Sequence, residues 1–537
     1  MKKIKVFALL ATLFVGIFSN LFTPVVSADE TSATVTIHKL QGQTGTIVNT
    51  GNELKDYTAP DFLGGITYNV YDVTAAYHDK YNEVYTSTTA QAADDAARKY
   101  VQGTAGHAPK FENPDHVATL KFTQTTATDK TATASVPKGA ATFTLPKKSG
   151  GKDAVYVFVE QPKTGIKKAE NNLVLSFPVY KLSEDGKSYT DNELTEIHLY
   201  PKNTTETIEP VKEIIEPITD TAGHNNYNIG QDIKFKLSTV IPTNIGIKEV
   251  DGTTPHYNTF GLIDTHDTTL TFNPAGTHEL KVAGTTTALT EGEKADYTIV
   301  EGDPKPAEGK ATFKVKLTQA GINKLAAQGG QTLEFTYTMK LNDTAVMDTK
   351  NVNKVTVEYG RKEGEFSDVV TTPGNEKEVY TGGYRFIKTD VSTNKPLAGA
   401  EFVVRSAATE GQYLKIDDTT KEISWVGTYE KATKFTTGAD GIVDIKGLTY
   451  GTYYLEETKA PTDYVKLSDR IEFTVAFNSY TDHKTITPAE VKEHPVVNTP
   501  KGFLPSTGGA GIILFVALGV AMVGLAGVYF TSRRKDA

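Results

Sequence analysis

Apolar and polar side chains alternate with a period of two along most of the chain. Thr34-Val35-Thr36-Ile37-His38, Lys234-Phe235-Lys236-Leu237, Phe313-Lys314-Val315-Lys316-Leu317, Val355-Thr356-Val357-Glu358-Tyr359 and Phe473-Thr474-Val475-Ala476-Phe477 all keep it, with β-branched or aromatic residues enriched. Gly, Asn, Asp and Pro punctuate these runs at short spacing. The pattern predicts an all-β chain of tandem β-sandwiches, in which antiparallel sheets each bury one face. A helical period appears only over residues 90–101, with Ala92, Ala96 and Tyr100 along one face. Asn203-Thr204-Thr205-Glu206-Thr207 and Thr371-Thr372-Pro373-Gly374-Asn375 read as linkers. They divide the interior into domains at 29–203, 204–378 and 379–503.

The two ends depart from this pattern. Residues 1–5 form a basic start, residues 6–22 are apolar, and Val25-Val26-Ser27-Ala28 ends in small residues, which together predict a signal peptide over 1–28 that is cleaved before Asp29. At the other end, Leu504-Pro505-Ser506-Thr507-Gly508 precedes an apolar stretch over 510–530, long enough to span hydrocarbon as a helix. Arg533, Arg534 and Lys535 follow as a basic stop.

Composition narrows the function. The 537 residues exceed one compact core, and 38% apolar with 23% charged residues is a globular balance. A net charge of -9 offers no basic face for nucleic acid. An exported protein with no cysteine has neither disulfides nor thiolate chemistry. No phosphate-cradling glycine loop, HExxH, calcium-loop spacing or serine elbow is present, so neither a cofactor nor a metal is expected.

Several segments resemble a known family. The 504–508 pentapeptide with its helix and basic tail, 504–537 in all, resembles the sorting signal of Gram-positive surface proteins. The resemblance implies that a sortase cysteine attacks the Thr507 carbonyl, residues 508–537 are removed, and an amine resolves the thioester. Leu199-Tyr200-Pro201-Lys202-Asn203 resembles the YPKN pilin motif, which implies that Lys202 is the amine joined to Thr507 of the next subunit. Tyr453-Tyr454-Leu455-Glu456-Glu457-Thr458-Lys459-Ala460-Pro461 resembles the E-box of CnaB-type domains, departing at Asp463 where glycine is usual. With Phe386-Ile387-Lys388 and Val496-Val497-Asn498, it implies an intramolecular Lys388–Asn498 isopeptide bond assisted by Glu457. More loosely, Pro210-Val211-Lys212, Leu262-Ile263-Asp264-Thr265 and Asn353-Lys354-Val355 resemble the CnaA-like arrangement of Lys212, Asp264 and Asn353. In the first domain Ile37-His38-Lys39-Leu40 and Val157-Phe158-Val159-Glu160-Gln161 echo the lysine strand and the E-box. No asparagine is assigned there, because Asn203 already belongs to the pilin motif.

The chemistry suits these residue types. An amine attacks only when neutral, which burial favours, and a buried acid kept protonated would polarise the carboxamide and pass a proton to departing ammonia. The whole resembles the backbone subunit of a sortase-assembled pilus, similar in order to the trypsin-resistant surface T antigens of streptococci. The partners implied are a pilin-class sortase, identical subunits joined head to tail and peptidoglycan, at the cell wall. The resemblance leaves room for accessory pilins, host surface ligands and a role in adhesion. A monomeric wall-anchored adhesin needs the sorting signal but not Lys202. A secreted enzyme on a sandwich scaffold would need a cleft of convergent titratable groups, whereas the clusters above are each spent once.

Overall fold

A computed structural model describes residues 31–42, 49–54, 61–128, 138–168, 170–182, 188–286, 288–480, 496–502 and 511–533. The signal-peptide region 1–28 and Leu504, Pro505, Ser506, Thr507 and Gly508 lie outside them. The protein divides into two compact units, residues 1–207 with 247–256, and residues 208–246 with 257–537.

In the first unit, strand Ser32–His38 pairs antiparallel with Ala140–Pro146 and parallel with Glu196–Leu199. Across the core lies a four-stranded sheet in the order Leu173–Ser176, Val155–Glu160, Thr67–Asp72, Thr119–Thr125. Val35, Ile37, Phe143 and Leu145 meet Tyr68, Tyr156 and Phe158 between the sheets. Val155, Val157 and Val159 face the other way, against Val73, Ala76, Tyr77, Ala97 and Val101. Buried on both faces, Val155–Glu160 shows no alternation.

Two helices, Thr74–Tyr85 and Ala90–Gln102, cover that second face. The second lies where the sequence predicts it, but its buried row is Ala93, Ala97 and Val101, one position on from the expected row. The first has no counterpart in the sequence pattern. It has no side-chain N-cap, and its tyrosines, histidine and asparagine are weak helix formers, so tertiary cover holds it.

The second unit holds two sandwiches. In one, the sheet ordered Val211–Ile214, Asp232–Val240, Thr332–Leu341, Glu279–Val282, Ala288–Leu289 accompanies a sheet ordered Asn225–Asn226, Val370–Tyr380, Asn351–Gly360, Thr259–Asp267, Lys310–Leu317, Tyr297–Glu301. In the other, Gly382–Asp390 lies between Ile442–Leu448 and, in parallel, Val496–Asn498. A sheet built on Glu401–Arg405 and Gly451–Lys459 covers it.

The second expected linker is strand and the first is strand as far as Thr205, with the boundary between units falling after Thr207. Residues 371–375 lie inside Val370–Tyr380, and Gly382–Asp390 begins two residues later. Lys202–Thr205 pairs with Leu40–Gln41 and Ile166–Lys168. Thr, Asn and Gly at sheet margins imitate linker composition, and only the pairing partner tells them apart. The last helix, Gly511–Arg533, has 23 residues and rises about 34 Å. Its side chains are described only over 515–529, and on that basis no helix among the described residues is long and apolar enough to cross a membrane.

Candidate functional site: buried lysine, acid and asparagine clusters

Lys212 sits on Val211–Ile214, Asp264 on Thr259–Asp267 and Asn353 on Asn351–Gly360, and all three are fully buried. The Lys212 ammonium donates to Asp264 Oδ2 at 2.7 Å and also to Asn353 Oδ1. Tyr337 donates its hydroxyl to Asp264 Oδ2, and His266 Nδ1 lies 2.7 Å from Oδ1. The ring of Phe235 stands 5.6 Å from the amine. Burial pulls Lys212 down to about 8 against the opposing pull of Asp264.

Asp264 departs from the expectation of a raised, protonated acid. Burial pushes it up, but the Lys212 charge and the His266 hydrogen bond outweigh that and hold it at about 2. The resting cluster is therefore an ion pair. Moving one proton across the 2.7 Å contact makes amine and acid neutral together without creating net charge.

The third domain repeats the set with a different layout. Lys388 and Asn498 lie on neighbouring parallel strands, Gly382–Asp390 and Val496–Asn498, and Glu457 reaches them from Gly451–Lys459 in the facing sheet. Glu457 Oε1 is 3.6 Å from Lys388 Nζ, while Oε2 accepts from Asn498 Nδ2 at 3.0 Å and from the Leu467 amide at 2.7 Å. Neither Glu457 Oε1 nor Asn498 Oδ1 has a hydrogen-bond partner among the described residues. Lys388 also donates to the Val496 carbonyl at 3.2 Å, and burial lowers it to about 8. Asp463 takes φ +67°, a left-handed conformation that favours glycine and that Asp tolerates, so the E-box departure keeps its turn.

A third cluster lies in the first domain. Lys39 Nζ donates to Glu160 Oε2 at 2.6 Å, and Asn203 Nδ2 donates to Glu160 Oε1, all three side chains being buried. Asn203 Oδ1 has no partner among the described residues. Burial lowers Lys39, against Glu160. The layout copies the third domain: the lysine strand runs parallel to the asparagine strand, with Leu40 opposite Lys202, and the acid comes from the facing sheet. The sequence signals Lys39 and Glu160 but leaves Asn203 unassigned, because the pilin motif accounts for it first. Neighbours on a strand face opposite ways, so Asn203 enters the core while Lys202 remains half-buried.

Residues 30–204 match the family model of the Gram-positive pilin subunit D1 N-terminal domain, residues 382–489 that of the prealbumin-like fold domain, and residues 497–537 that of the LPXTG cell wall anchor motif. No curated protein matches. The full-length RrgB pilus protein of Streptococcus pneumoniae is 19% identical over 90% of this chain and 100% of its own, with a TM-score of 0.55, which is a likeness of fold. The full-length major pilin SpaD of Corynebacterium diphtheriae is 20% identical over 89% of this chain and 99% of its own, at a TM-score of 0.41. A pilin domain at the front, a prealbumin-like domain behind and a wall-anchor motif at the end make this protein a Gram-positive pilus subunit, sortase-anchored to the cell wall at the bacterial surface.

Proposed function

We propose that this protein is the backbone of a covalent pilus, in which Lys202 of one subunit is joined to Thr507 of the next. The supporting observation is the arrangement around Lys202–Thr205: the buried Asn203 anchors the strand while the adjacent amine stays half-buried at the domain's edge. Sortase holds Thr507 as a thioester. The neutral Lys202 amine attacks its carbonyl, the C–N bond forms, the C–S bond breaks, and the amine's proton goes to the departing thiolate. The product is an isopeptide bond, and its repetition makes a polymer. The same reading takes the membrane helix as a temporary hold on the substrate.

Within each subunit the three clusters form Lys39–Asn203, Lys212–Asn353 and Lys388–Asn498 bonds. The amine attacks the asparagine Cγ, the Cγ–Nδ2 bond breaks, and ammonia leaves with a proton relayed by Glu160, Asp264 or Glu457. Lys212 and Lys388, lowered to about 8, are each neutral in about a tenth of molecules at neutral pH, a gain of a few hundred-fold over an ordinary lysine. Each cluster reacts once, so this is self-modification without turnover.

The test is Lys202→Arg in the intact bacterium. Arginine stays protonated and cannot serve as the nucleophile. The expected outcome is loss of the detergent-resistant ladder from wall extracts, with a folded, wall-linked monomer remaining. A normal ladder would instead point to another acceptor lysine, and the lack of any ladder from the wild type would favour the monomeric adhesin.

A further inference from the structure

Beside the pilin lysine lies a group of rings that neither crosslinking nor anchoring uses. His38 ends strand Ser32–His38, is almost fully buried, and its Nε2 lies 2.8 Å from Nδ1 of His198. The two imidazoles meet edge to edge, within 20° of coplanar and with centroids 5.1 Å apart, and on its other contact His38 stacks on Tyr200 at 4.7 Å and 11°. Strands Glu196–Leu199 and Lys202–Thr205 keep one parallel register against residues 34–41 across Tyr200 and Pro201, with Ile197, Leu199 and Asn203 buried and His198 and Lys202, an even number of residues apart, half-buried. The lysine therefore closes a row that the histidine pair opens.

That row is strapped from outside. Tyr200 donates its amide to Asn49 Oδ1 at 2.7 Å, its hydroxyl accepts from the Leu54 amide at 2.7 Å, and the His198 amide donates to the Gly51 carbonyl at 2.9 Å. Gly51 holds φ +79°, and a Cβ there would lie 2.5 Å from Leu194 Cδ1, so the strap needs glycine at this point. Tyr200, itself buried, thus has its ring and backbone held from both sides, two residues before Lys202.

We propose that the His38–His198 pair, acting through Tyr200, positions Lys202 for attack on the sorting thioester. This rests on the reading of Lys202 as the acceptor amine. The pair needs one donor and one acceptor nitrogen, which the neutral or singly protonated pair supplies; a second proton makes both rings donors and sets them against each other. Around His38, the described titratable neighbours are His198 and Tyr200 in the row, Glu53 in the strap, and Lys39 with Glu160 on the core side. Phe62 adds an apolar ring at 6.2 Å. Burial, then His198, pulls His38 down to about 4 against Glu53, so the pair stays intact at neutral pH. In acid the row loosens and Lys202 loses its fixed presentation.

The experiment joins an LPSTG sorting peptide to the mature protein with its pilin-class sortase. Rates are divided by those for hydroxylamine as acceptor, which reports sortase acylation alone. We expect His38→Ala and His198→Ala to raise the acceptor KM roughly fivefold or more without changing the hydroxylamine rate. His38→Gln, which bonds but does not titrate, should restore the neutral-pH value and flatten the normalised fall as pH drops toward about 4. Wild-type KM in both alanine variants, or an unchanged acid limb in His38→Gln, overturns the proposal. If the alanine variants do not fold, the His38→Gln profile alone decides. Lys202→Arg is run alongside: continued ligation there counts against the acceptor reading itself, whereas its loss together with wild-type behaviour of the histidine variants counts only against the positioning role.

Discussion

One buried acid touches each lysine and asparagine pair, so the proposed crosslinking can be tested residue by residue. With all three bonds made, the mature protein should weigh three ammonias less than its sequence, about 51 Da in all. Glu160→Ala and Glu457→Ala should each restore about 17 Da, because without its acid the neighbouring carboxamide is a poor electrophile. Intact-mass spectrometry decides it; a full deficit in either variant would sink the assigned role. Asp264 is held ionised by Lys212 and His266, so its step begins with proton transfer inside an ion pair. His38 gives a separate pH signature. Its native value, about 4, lies below the ordinary 6.5, so between the two the unfolded protein binds the proton first. The stability it contributes is complete above pH 6.5 and is lost as pH falls toward 4, by roughly 2 to 3 kcal/mol at most. Melting curves of wild type and His38→Gln across that window should converge in acid; parallel curves would show that His38 does not titrate there.

At the scale of elements, the proposed bonds would tie the opening strand of the first and third domains to the closing one, and that of the second to Asn351–Gly360, which Val370–Tyr380 follows. Lys212 and Asn353 are 141 residues apart, and the other two pairs close loops of about 110 and 165 residues. By the chain-entropy account of disulfides, each loop would restrict the unfolded state by roughly 4 to 5 kcal/mol. The same elements set the path of force. A pilus linked from Lys202 to Thr507 loads only the residues that follow Lys202, so the second and third domains lie in line and most of the first is a side branch. Pulling between those two residues should lengthen Glu457→Ala on the order of 380 Å beyond wild type, as about 110 residues extend. Asn203→Ala should add no comparable step. Single-molecule traces with equal steps in both variants would refute this path.

Over the whole molecule, toughness has to come without sulfur, since the protein has no cysteine. In the second unit the two sandwiches also meet directly. Asn226 Oδ1 accepts from the Thr449 hydroxyl at 2.6 Å, the Ile229 amide donates to the Gly447 carbonyl at 2.9 Å, and the Tyr480 amide donates to Asp348 Oδ2 at 2.9 Å. With Val370–Tyr380 running almost into Gly382–Asp390, little slack backbone is left there for a protease.

Chemistry carried by local order was legible in the sequence. The processing signals, the YPKN and E-box segments, and the alternation that makes the protein all-β are contiguous strings whose meaning needs no partner. Lys388, Glu457 and Asn498, and more loosely Lys212, Asp264 and Asn353, could be picked out because strand position and motif coincide. Pairing and cover across the fold decided the rest. The helix Thr74–Tyr85 exists because a sheet face needs covering, and residues 371–373 are strand because Asn351–Gly360 pairs with them. Asn203 shows the limit most plainly: sequence gives its string one meaning, whereas the strand's two faces give it two, Lys202 outward and Asn203 onto Glu160. Which side chain meets which across a core depends on residues far apart in the sequence, brought together only when the sheets pack.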